Sequence, residues 1–294
     1  MCENTTKVKA GGQMTIGFIG AGKVGFSMGK YFTEHDICVS GYYSRNPESS
    51  KEAAAFTKTK YYQKLEDIIK ESDTLFLTVP DGSIRKVYSE IIQWDIEGKA
   101  LVHCSGALSS SVFSGISLKG AYGYSIHPIC AVSDKLTGSQ DLSKAYFTIE
   151  GDEKYLSVFL DLFHGLGNPM EVIAPEEKVK YHGAAVFASN LVVGLYETAL
   201  RMLRDCGLSE AFSDQALLPL FLGNAENIGA QGVTRALTGP VERADAGTVE
   251  KHLQVLTGEE REIYRLLSQQ LVKIAERKNP DRDYDDLKHI LQNS

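Results

Sequence analysis

The chain has 294 residues, of which 43% are hydrophobic and 23% charged, and its formal net charge is −7. This length allows two domains of ordinary size, and the composition is typical of a soluble globular protein. The negative charge, without a block of Lys and Arg, argues against binding to nucleic acid or to an anionic membrane. We expect no membrane span, since no apolar run approaches ~20 residues. We expect the polar stretch 1–13 to be a flexible tail.

The first half of the chain alternates short apolar runs with helical patterns. The predicted strands are Thr15–Ile19, Ile37–Tyr43, Thr74–Val79, Leu101–Cys104, Tyr122–Ile126 and Ala145–Ile149. The predicted helices between them are Gly22–Thr33, Pro47–Thr57, Leu65–Glu71 and Ile84–Ile92, with Asn46 as a cap before Pro47. This alternation predicts an α/β fold with a doubly wound, mainly parallel Rossmann sheet over 14–170. Ligands of such sheets bind at the carboxyl ends of the strands.

A glycine-rich turn follows the first predicted strand and opens the first predicted helix. Its pattern is Gly20-x-Gly22-x-x-Gly25, which is the dinucleotide-binding fingerprint in its required setting. The first glycine allows the turn, the second lets backbone approach a pyrophosphate, and the third lets helix and strand pack closely. We therefore predict that the pyrophosphate lies at the helix N-terminus, against Gly20, Ala21, Gly22, Lys23 and Val24.

The end of the second strand indicates which nucleotide binds. An acidic residue there would bind the ribose 2′-hydroxyl of NAD, but this chain has Ser44 and Arg45 and no carboxylate. Both side chains can donate hydrogen bonds to a 2′-phosphate, and Arg45 adds a positive charge. The sequence therefore favours NADP over NAD, with a solvated loop charge as the alternative interpretation of Arg45.

Three further strand ends carry polar residues that the fold would bring to one rim. We predict that Val79, Pro80 and Ser105 contact the cofactor and that His127 contacts the substrate. Asp81 fits either a cofactor loop or an ordinary helix cap.

After about Met170 the pattern becomes helical, which predicts a second, all-α domain for substrate binding and dimerisation over 171–294. Residues 175–205 are expected to form one long, buried helix, since apolar residues cover most of its circumference. Further helices are predicted over 209–230, 248–256 and 258–278. The broad apolar surface could also form the interface of a homodimer.

His182 and Asn190 would share one face of that long helix. There His182 could exchange a proton with a substrate near neutral pH, and Asn190 could orient the same substrate group. Lys178, one turn earlier, could join them. The alternative is that these polar groups only satisfy structural hydrogen bonds.

The loop 237–248 is rich in Gly, Pro and charge, with Thr248 as a plausible N-cap for the next helix. Its Arg243 could bind a substrate carboxylate in forked geometry. A surface ion pair with Asp245 or Glu242 is the alternative.

Metal and disulfide chemistry are not indicated. Four histidines could converge, but none has the spacing of a metal motif, so we predict no metal. The five cysteines are widely scattered, which is typical of reduced thiols in a cytoplasmic protein.

Six segments together resemble one family. They are Ile16–Gly25, Thr78–Asp81, His103–Ala107, His127-Pro128, 181–190, and Leu237–Thr248 followed by His252. The chain resembles uncharacterised Rossmann-like proteins with a helical C-terminal domain of unknown function. That group is similar to ketopantoate reductase, pyrroline-5-carboxylate reductase and the β-hydroxyacid dehydrogenases. The resemblance implies NADP(H) in the first domain, substrate between the domains, and often a dimer.

One departure concerns the substrate. Ketopantoate reductases carry Lys, Asn and Asn at four-residue steps on the central helix. This chain has His182, Val186 and Asn190 there, or Lys178, His182 and Val186 if the series is shifted by one turn. We therefore expect an NADP(H)-dependent oxidoreductase acting on a small carbonyl, hydroxyacid or imine. A non-catalytic NADP(H)-binding redox sensor and a deazaflavin-dependent protein stay open as alternatives.

Overall fold

The structure is a computed structural model that describes residues 14–293. The predicted tail 1–13 lies outside the described residues. The chain forms two compact units, the first ending at Asn190 and the second beginning at Leu191.

The first unit is built on one sheet, which has eight strands within the described range. They are β1 (Ile16–Ile19), β2 (Val39–Tyr43), β3 (Lys60–Tyr61), β4 (Thr74–Leu77), β5 (Ala100–His103), β6 (Tyr122–Pro128), β7 (Phe147–Gly151) and β8 (Met170–Val172). Their order is β3-β2-β1-β4-β5-β6-β7-β8, and every neighbouring pair is parallel except β6 with β7. The predicted doubly wound, mainly parallel Rossmann sheet is confirmed. The very short strands β3 and β8 were not predicted.

Helices cover both faces of this sheet. They are α1 (Lys23–Glu34), α2 (Pro47–Thr57), α3 (Leu65–Glu71), α4 (Asp81–Ile91), α5 (Gly138–Leu142) and α6 (Leu156–Gly165), followed by α7 (Lys178–Ala188). The four helices predicted in this half begin and end within three residues of α1 to α4. The predicted cap of α2 is also present, because Asn46 Oδ1 accepts a hydrogen bond from Glu48 N at 3.1 Å. The sequence analysis missed α5 and α6.

Two hydrophobic cores lie on opposite faces of the sheet. In β4, Phe76 packs in the core shared with α1 and α6, while its neighbours Leu75 and Leu77 pack in the core shared with α3 and α4. Strand β4 is thus buried on both faces, which is why its sequence is an unbroken apolar run. The packing fixes the strand ends, where the candidate site lies.

The second unit is helical. Its helices are α8 (Asn190–Asp205), whose first residue belongs to the first unit, then α9 (Glu210–Ala236), α10 (Ala246–Val255), α11 (Gly258–Lys278) and α12 (Asp285–Asn293). A small core joins the loop before α10 with α10, α11 and α12, around Val249, Val272 and Leu287. Helix α9 contains Pro219 and bends at Gly232, whose φ of 78° is not helical.

Two predictions for residues 175–205 are wrong. The segment is not one helix, because Ser189, at φ −127° and ψ −84°, separates α7 from α8. It is also not buried: within α7 and α8 only Lys178 and Leu200 are, while Phe187 and Val193 are 70% exposed. By length and composition, the segment Pro175–Asp205, taken across this break, could cross a membrane, contrary to the expectation that the chain contains no such run. A single segment of this kind is weak support for a span.

Candidate functional site

The glycine-rich turn has the close packing that its sequence predicts. Gly20 has a φ of +110°, and a Cβ there would lie 2.7 Å from the Thr78 carbonyl oxygen. A Cβ on Gly25 would lie 2.2 Å from Thr78 Oγ1 and 2.7 Å from the Gly20 oxygen. Gly22 instead faces open space, because its Cβ would meet no heavy atom closer than 3.9 Å. The turn is therefore tight toward the sheet and open on the other side.

Helix α1 begins in this opening without a side-chain cap. Its first-turn N–H groups, from Lys23 onward, are the groups that a helix cannot satisfy internally. Together with the partial positive charge of the helix N-terminus, they suit a phosphate. The turn thus fits the pyrophosphate of a dinucleotide.

A cavity of about 470 Å³ extends from this turn to the end of β2. Seven of the ten residues predicted to contact the cofactor line it: Gly20, Ala21, Gly22, Ser44, Arg45, Val79 and Pro80. The sequence analysis did not identify the other lining residues, which are Ile19, Tyr43, Asn46, Leu65, Thr78, Val87 and Glu90. A cavity this long joins the pyrophosphate turn to the residues predicted to select the 2′-phosphate.

Ser105 plays a structural part that its sequence position did not indicate. It is buried, and its hydroxyl donates to Asp81 Oδ2 at 2.6 Å while accepting from the Ala107 and Leu108 N–H groups. The hydroxyl therefore ties the loop after β5 to the start of α4 and has no donor left for a cofactor. Its backbone N–H is engaged by His103 Nδ1, and its carbonyl oxygen accepts from Lys178 and Ser125. The predicted contact of Ser105 with the cofactor stays a prediction.

His103, the last residue of β5, is a buried structural imidazole. Its Nε2 lies 3.2 Å from the Ser109 carbonyl oxygen, and its Nδ1 accepts from Ser105 N at 3.2 Å. Burial lowers the pKa of His103 to about 4, and the Lys178 charge acts in the same direction. His103 thus stays neutral and orients the Ser105 turn.

Two imidazoles converge on Gly106, which follows that turn. A Cβ on Gly106 would lie 2.5 Å from His182 Nδ1 and 2.8 Å from His127 Nε2. The two rings are 6.0 Å apart and nearly perpendicular. His182 Nδ1 is buried, and within residues 14–293 it has no hydrogen-bond partner. We call the cluster of Gly106, His127 and His182 the imidazole notch; the two rings leave no room for a Cβ on Gly106.

The surroundings of His127 favour its neutral form. Burial, together with the smaller effects of Lys178, His182 and His103, lowers the pKa of His127 to about 4. Lys178 is itself buried, and its ammonium group donates to the Ser105 carbonyl oxygen at 3.0 Å and to Ser125 Oγ at 2.7 Å. Burial also lowers the pKa of Lys178. Lys178 is therefore anchored to two strand ends beneath the notch.

The remaining predicted residues, Asn190 and Arg243, are both exposed. Asn190 is exposed and accepts a hydrogen bond from Ser189 Oγ at 3.1 Å. Because the helix is broken at Ser189, the argument that placed Asn190 on one face with His182 is wrong. Arg243 belongs to the second unit, is exposed, and has no carboxylate within 4 Å among the residues that the structure covers. Its role as a substrate ligand stays a prediction. The alternative ion pair with Asp245 or Glu242 is not formed.

The loop that carries Arg243 is held from inside. Glu242 accepts from Asn279 Nδ2 at 2.8 Å, and its backbone oxygen accepts from Arg282 and Tyr284. Asp245, not Thr248, caps α10, because its carboxylate accepts from Thr248 N at 3.0 Å. Arg243 is therefore displayed on a firmly held loop.

Metal and disulfide sites are not found in the described part of the chain. It contains no group of three or more His, Cys, Asp or Glu side chains placed to hold a metal ion. No disulfide joins Cys38, Cys104, Cys130 or Cys206, and Cys2 lies outside residues 14–293.

Comparison with known families divides the chain in two. Residues 2–128 match the model of a Rossmann-like domain, and residues 145–271 match that of a domain of unknown function, DUF2520. The chain thus combines a Rossmann-like domain with a DUF2520 domain, as the resemblance implied. A comparison with curated proteins found no match.

Solved structures share this architecture over nearly the whole chain. The protein TM1727 from Thermotoga maritima is 28% identical, with a TM-score of 0.70, and the match covers 90% of this chain and 99% of that one. A candidate NADP oxidoreductase, BF3122, from Bacteroides fragilis is 22% identical with a TM-score of 0.70, covering 89% and 98%. Plasmodium falciparum pyrroline carboxylate reductase with NADP bound is 13% identical with a TM-score of 0.56, covering 91% and 98%. The two structures below 25% identity establish the fold and leave the activity to the site.

Proposed function

We propose that this protein is an NADP(H)-dependent oxidoreductase that acts on a small carbonyl, hydroxyacid or imine. The observation that carries the proposal is the pairing of two features in one unit. The glycine turn and the end of β2 line a single cavity, and the Asp81–Ser105 hydrogen bond links its Pro80 loop to the imidazole notch. The structural neighbours described as NADP oxidoreductases or containing NADP support the choice of cofactor.

The residues present fit NADP(H). The uncapped start of α1 would hold the pyrophosphate, and Ser44 and Arg45 would hold the 2′-phosphate. When bound, the nicotinamide supplies or accepts the hydride. The chain's own residues position the substrate and handle the proton.

The proton is assigned to His182. Its Nδ1 is buried without a partner, so a substrate oxygen or nitrogen in the notch would complete its hydrogen bonding. An imidazole takes a proton in its neutral form and gives one in its protonated form near neutral pH, which suits general acid–base catalysis. His127, on the opposite side of Gly106, would hold the same substrate group. Lys178 is less suited to proton transfer, because its donors already bind Ser105 and Ser125.

The test begins with nucleotide binding. NADPH and NADH are titrated by fluorescence against wild type, Arg45→Ala, and Arg201→Ala as a matched control, which removes a surface arginine of the second unit. Losing the charge-assisted hydrogen bonds of Arg45 should weaken the binding of NADPH about 10- to 100-fold. The affinity of this variant for NADH, and both affinities of the control, should stay nearly unchanged. Equal affinity of wild type for both nucleotides would contradict the assignment of NADP.

Turnover is then sought with NADPH and a panel of 2-oxo acids and imines, and with NADP and 3-hydroxyacids. His182→Ala should abolish the absorbance change while leaving NADPH affinity within about twofold. Full turnover by His182→Ala would refute its role. Tight NADPH binding without turnover on any substrate would favour the non-catalytic redox sensor.

We also propose that the helical second unit forms a homodimer. It exposes a series of large apolar side chains on α8 and α9: Leu191, Val193, Leu195, Phe212, Leu218, Leu220, Phe221 and Leu222. Exposed apolar surface on this scale marks an interaction site.

The cysteines, of which no described pair forms a disulfide, fit a reducing compartment and hence a cytoplasmic protein.

Light scattering on a sizing column tests the dimer. Val193→Glu and Leu220→Glu should shift the mass from two chains to one, whereas Leu118→Glu, at a 90% exposed site of the first unit, should not. A monomeric wild type would contradict the proposal. Co-flotation of wild type with lipid vesicles would instead assign the apolar surface to a membrane.

A further inference from the structure

The imidazole notch has a neighbour whose part the sequence did not indicate. Tyr181 lies on α7, and its hydroxyl is 2.7 Å from His127 Nδ1, with the two rings perpendicular at 5.6 Å. Tyr181 does not face the notch itself. It lies on the far side of the His127 ring from Nε2, the atom nearest Gly106.

We propose that Tyr181 is a positioning residue that fixes His127 in the tautomer with its proton on Nε2, directed into the imidazole notch. The notch would then present a hydrogen-bond donor suited to a carbonyl oxygen. This inference rests on the proposed function for the identity of that oxygen, but the tautomer can be measured without any substrate.

The direction of the Tyr181–His127 hydrogen bond follows from acidity. A phenol is a stronger acid than a neutral imidazole N–H, and an unprotonated imidazole nitrogen is a better acceptor than a phenol oxygen. Burial raises the pKa of Tyr181, so its hydroxyl keeps the proton it donates. Nδ1 of His127 is consequently an acceptor, and a neutral ring must carry its proton on Nε2.

The ring is neutral because its surroundings disfavour a cation. Lys178 on α7 brings a buried positive charge, and His182 on α7 and His103 on β5 bring further basic groups. The pKa of about 4 for His127 keeps it uncharged at neutral pH. The hydrogen bond from Tyr181 then determines which nitrogen of His127 carries the proton. The positive charge of Lys178 disfavours protonation of both nitrogens.

The two imidazoles would then have different roles. His127 would donate a hydrogen bond to the substrate oxygen and polarise the carbonyl without giving up its proton. His182, whose Nδ1 has no partner in the described structure, would be free to exchange one. A notch with one fixed donor favours a carbonyl over a cationic or purely donor group, which narrows the substrate class toward 2-oxo acids and ketones.

The primary experiment is nitrogen NMR on the histidine rings of the full chain at pH 7, with His127→Gln used to assign the His127 signals. In wild type, Nδ1 of His127 should resonate as an acceptor nitrogen and Nε2 as a protonated one. Tyr181→Phe removes one hydrogen bond and should change the tautomer ratio about fivefold, bringing the two shifts closer together.

The chain offers a matched control. His252 Nδ1 lies 2.8 Å from Tyr264 OH, the same kind of pair in the second unit. Tyr264→Phe should move the His252 signals and leave those of His127 unchanged. Unchanged His127 signals in Tyr181→Phe, or a wild-type His127 protonated on Nδ1, would overturn the inference.

A kinetic cycle adds a readout that loss of folding would not mimic. On a substrate found in the turnover panel, Tyr181→Phe should lower kcat about tenfold with little change in KM. His127→Gln retains a side-chain N–H donor but not the tautomer choice, so Tyr181→Phe should have no further effect in that background. Additive losses would refute positioning. If no substrate is found, the proposed function fails while the NMR result still decides the tautomer.

Discussion

The buried His103 gives a prediction that can be worked out from its surroundings. The ring is 0% exposed, and both nitrogens are used in the neutral form, by Ser105 N and the Ser109 oxygen. Its pKa is 6.5 in an unfolded chain and about 4 in the folded one. A basic group with a lowered folded pKa binds its proton more readily in the unfolded chain, so stability is lost as pH falls below 6.5.

The magnitude follows from the interval between these values, which corresponds to about 3 kcal/mol in full. About 2 kcal/mol of it should be lost between pH 6.5 and pH 5. His103→Asn lacks this titration but also loses the bond to Ser109 and packing against Phe113. The variant should therefore be less stable at pH 7, and its deficit relative to wild type should shrink by about 2 kcal/mol at pH 5.

Urea unfolding at pH 7, 6 and 5 measures this deficit. The single tryptophan, Trp94, lies in the first unit, so its fluorescence reports the unit that contains His103. His35→Asn, at an exposed histidine of the same unit, is the matched control. A deficit for His103→Asn that stays constant from pH 7 to pH 5 would refute the idea that burial keeps this imidazole neutral.

Five other substitutions separate packing from function. Gly25→Ala should destabilise the fold, since its Cβ would lie 2.2 Å from Thr78 Oγ1. Gly22→Ala should unfold like wild type in urea, yet its affinity for NADPH should fall at least tenfold in a fluorescence titration. Lys178→Met should change the free energy of unfolding by less than about 1 kcal/mol, because losing two hydrogen bonds is offset by no longer burying a charge. Ser125→Ala should lower the free energy of unfolding by more, about 2 kcal/mol, because the buried Lys178 ammonium then keeps only one of its two acceptors. Urea unfolding of the Lys178→Met and Ser125→Ala variants measures this difference. Asp245→Ala should cost about 1 kcal/mol by uncapping α10, measured as a fall in thermal midpoint.

The Rossmann sheet could be predicted because its local patterns agree with its packing. Apolar runs such as Thr74–Leu77 are buried on both faces, and the turn chemistry at Asn46-Pro47 matches the observed cap. The strands β3 and β8, with two and three residues, are too short to carry a pattern. Their pairing is decided by neighbouring strands, which a single sequence does not reveal.

The cofactor cavity was predicted better than the site beside it. Glycines and a loop arginine act through backbone geometry and charge that follow from their place in the motif. The Tyr181–His127 pair joins residues 54 positions apart, and the Lys178 anchor joins residues 53 and 73 apart. No periodicity predicts such pairs, since they arise only when the strand ends meet α7. The one available signal was that His127, Lys178 and Tyr181 are polar residues beside apolar runs.

The break at Ser189 explains why the second half misled the sequence analysis. An apolar stretch from 175 to 205 is typical of a buried central helix, but burial also requires a partner surface. Here α7 places Lys178, Tyr181 and His182 against the sheet ends, while Phe187 beyond them is exposed. The apolar composition therefore serves two purposes that one pattern cannot separate: positioning the notch before the break, and presenting an interaction surface after it. If a second chain covers that surface, substitutions there should alter assembly without changing the His127 tautomer.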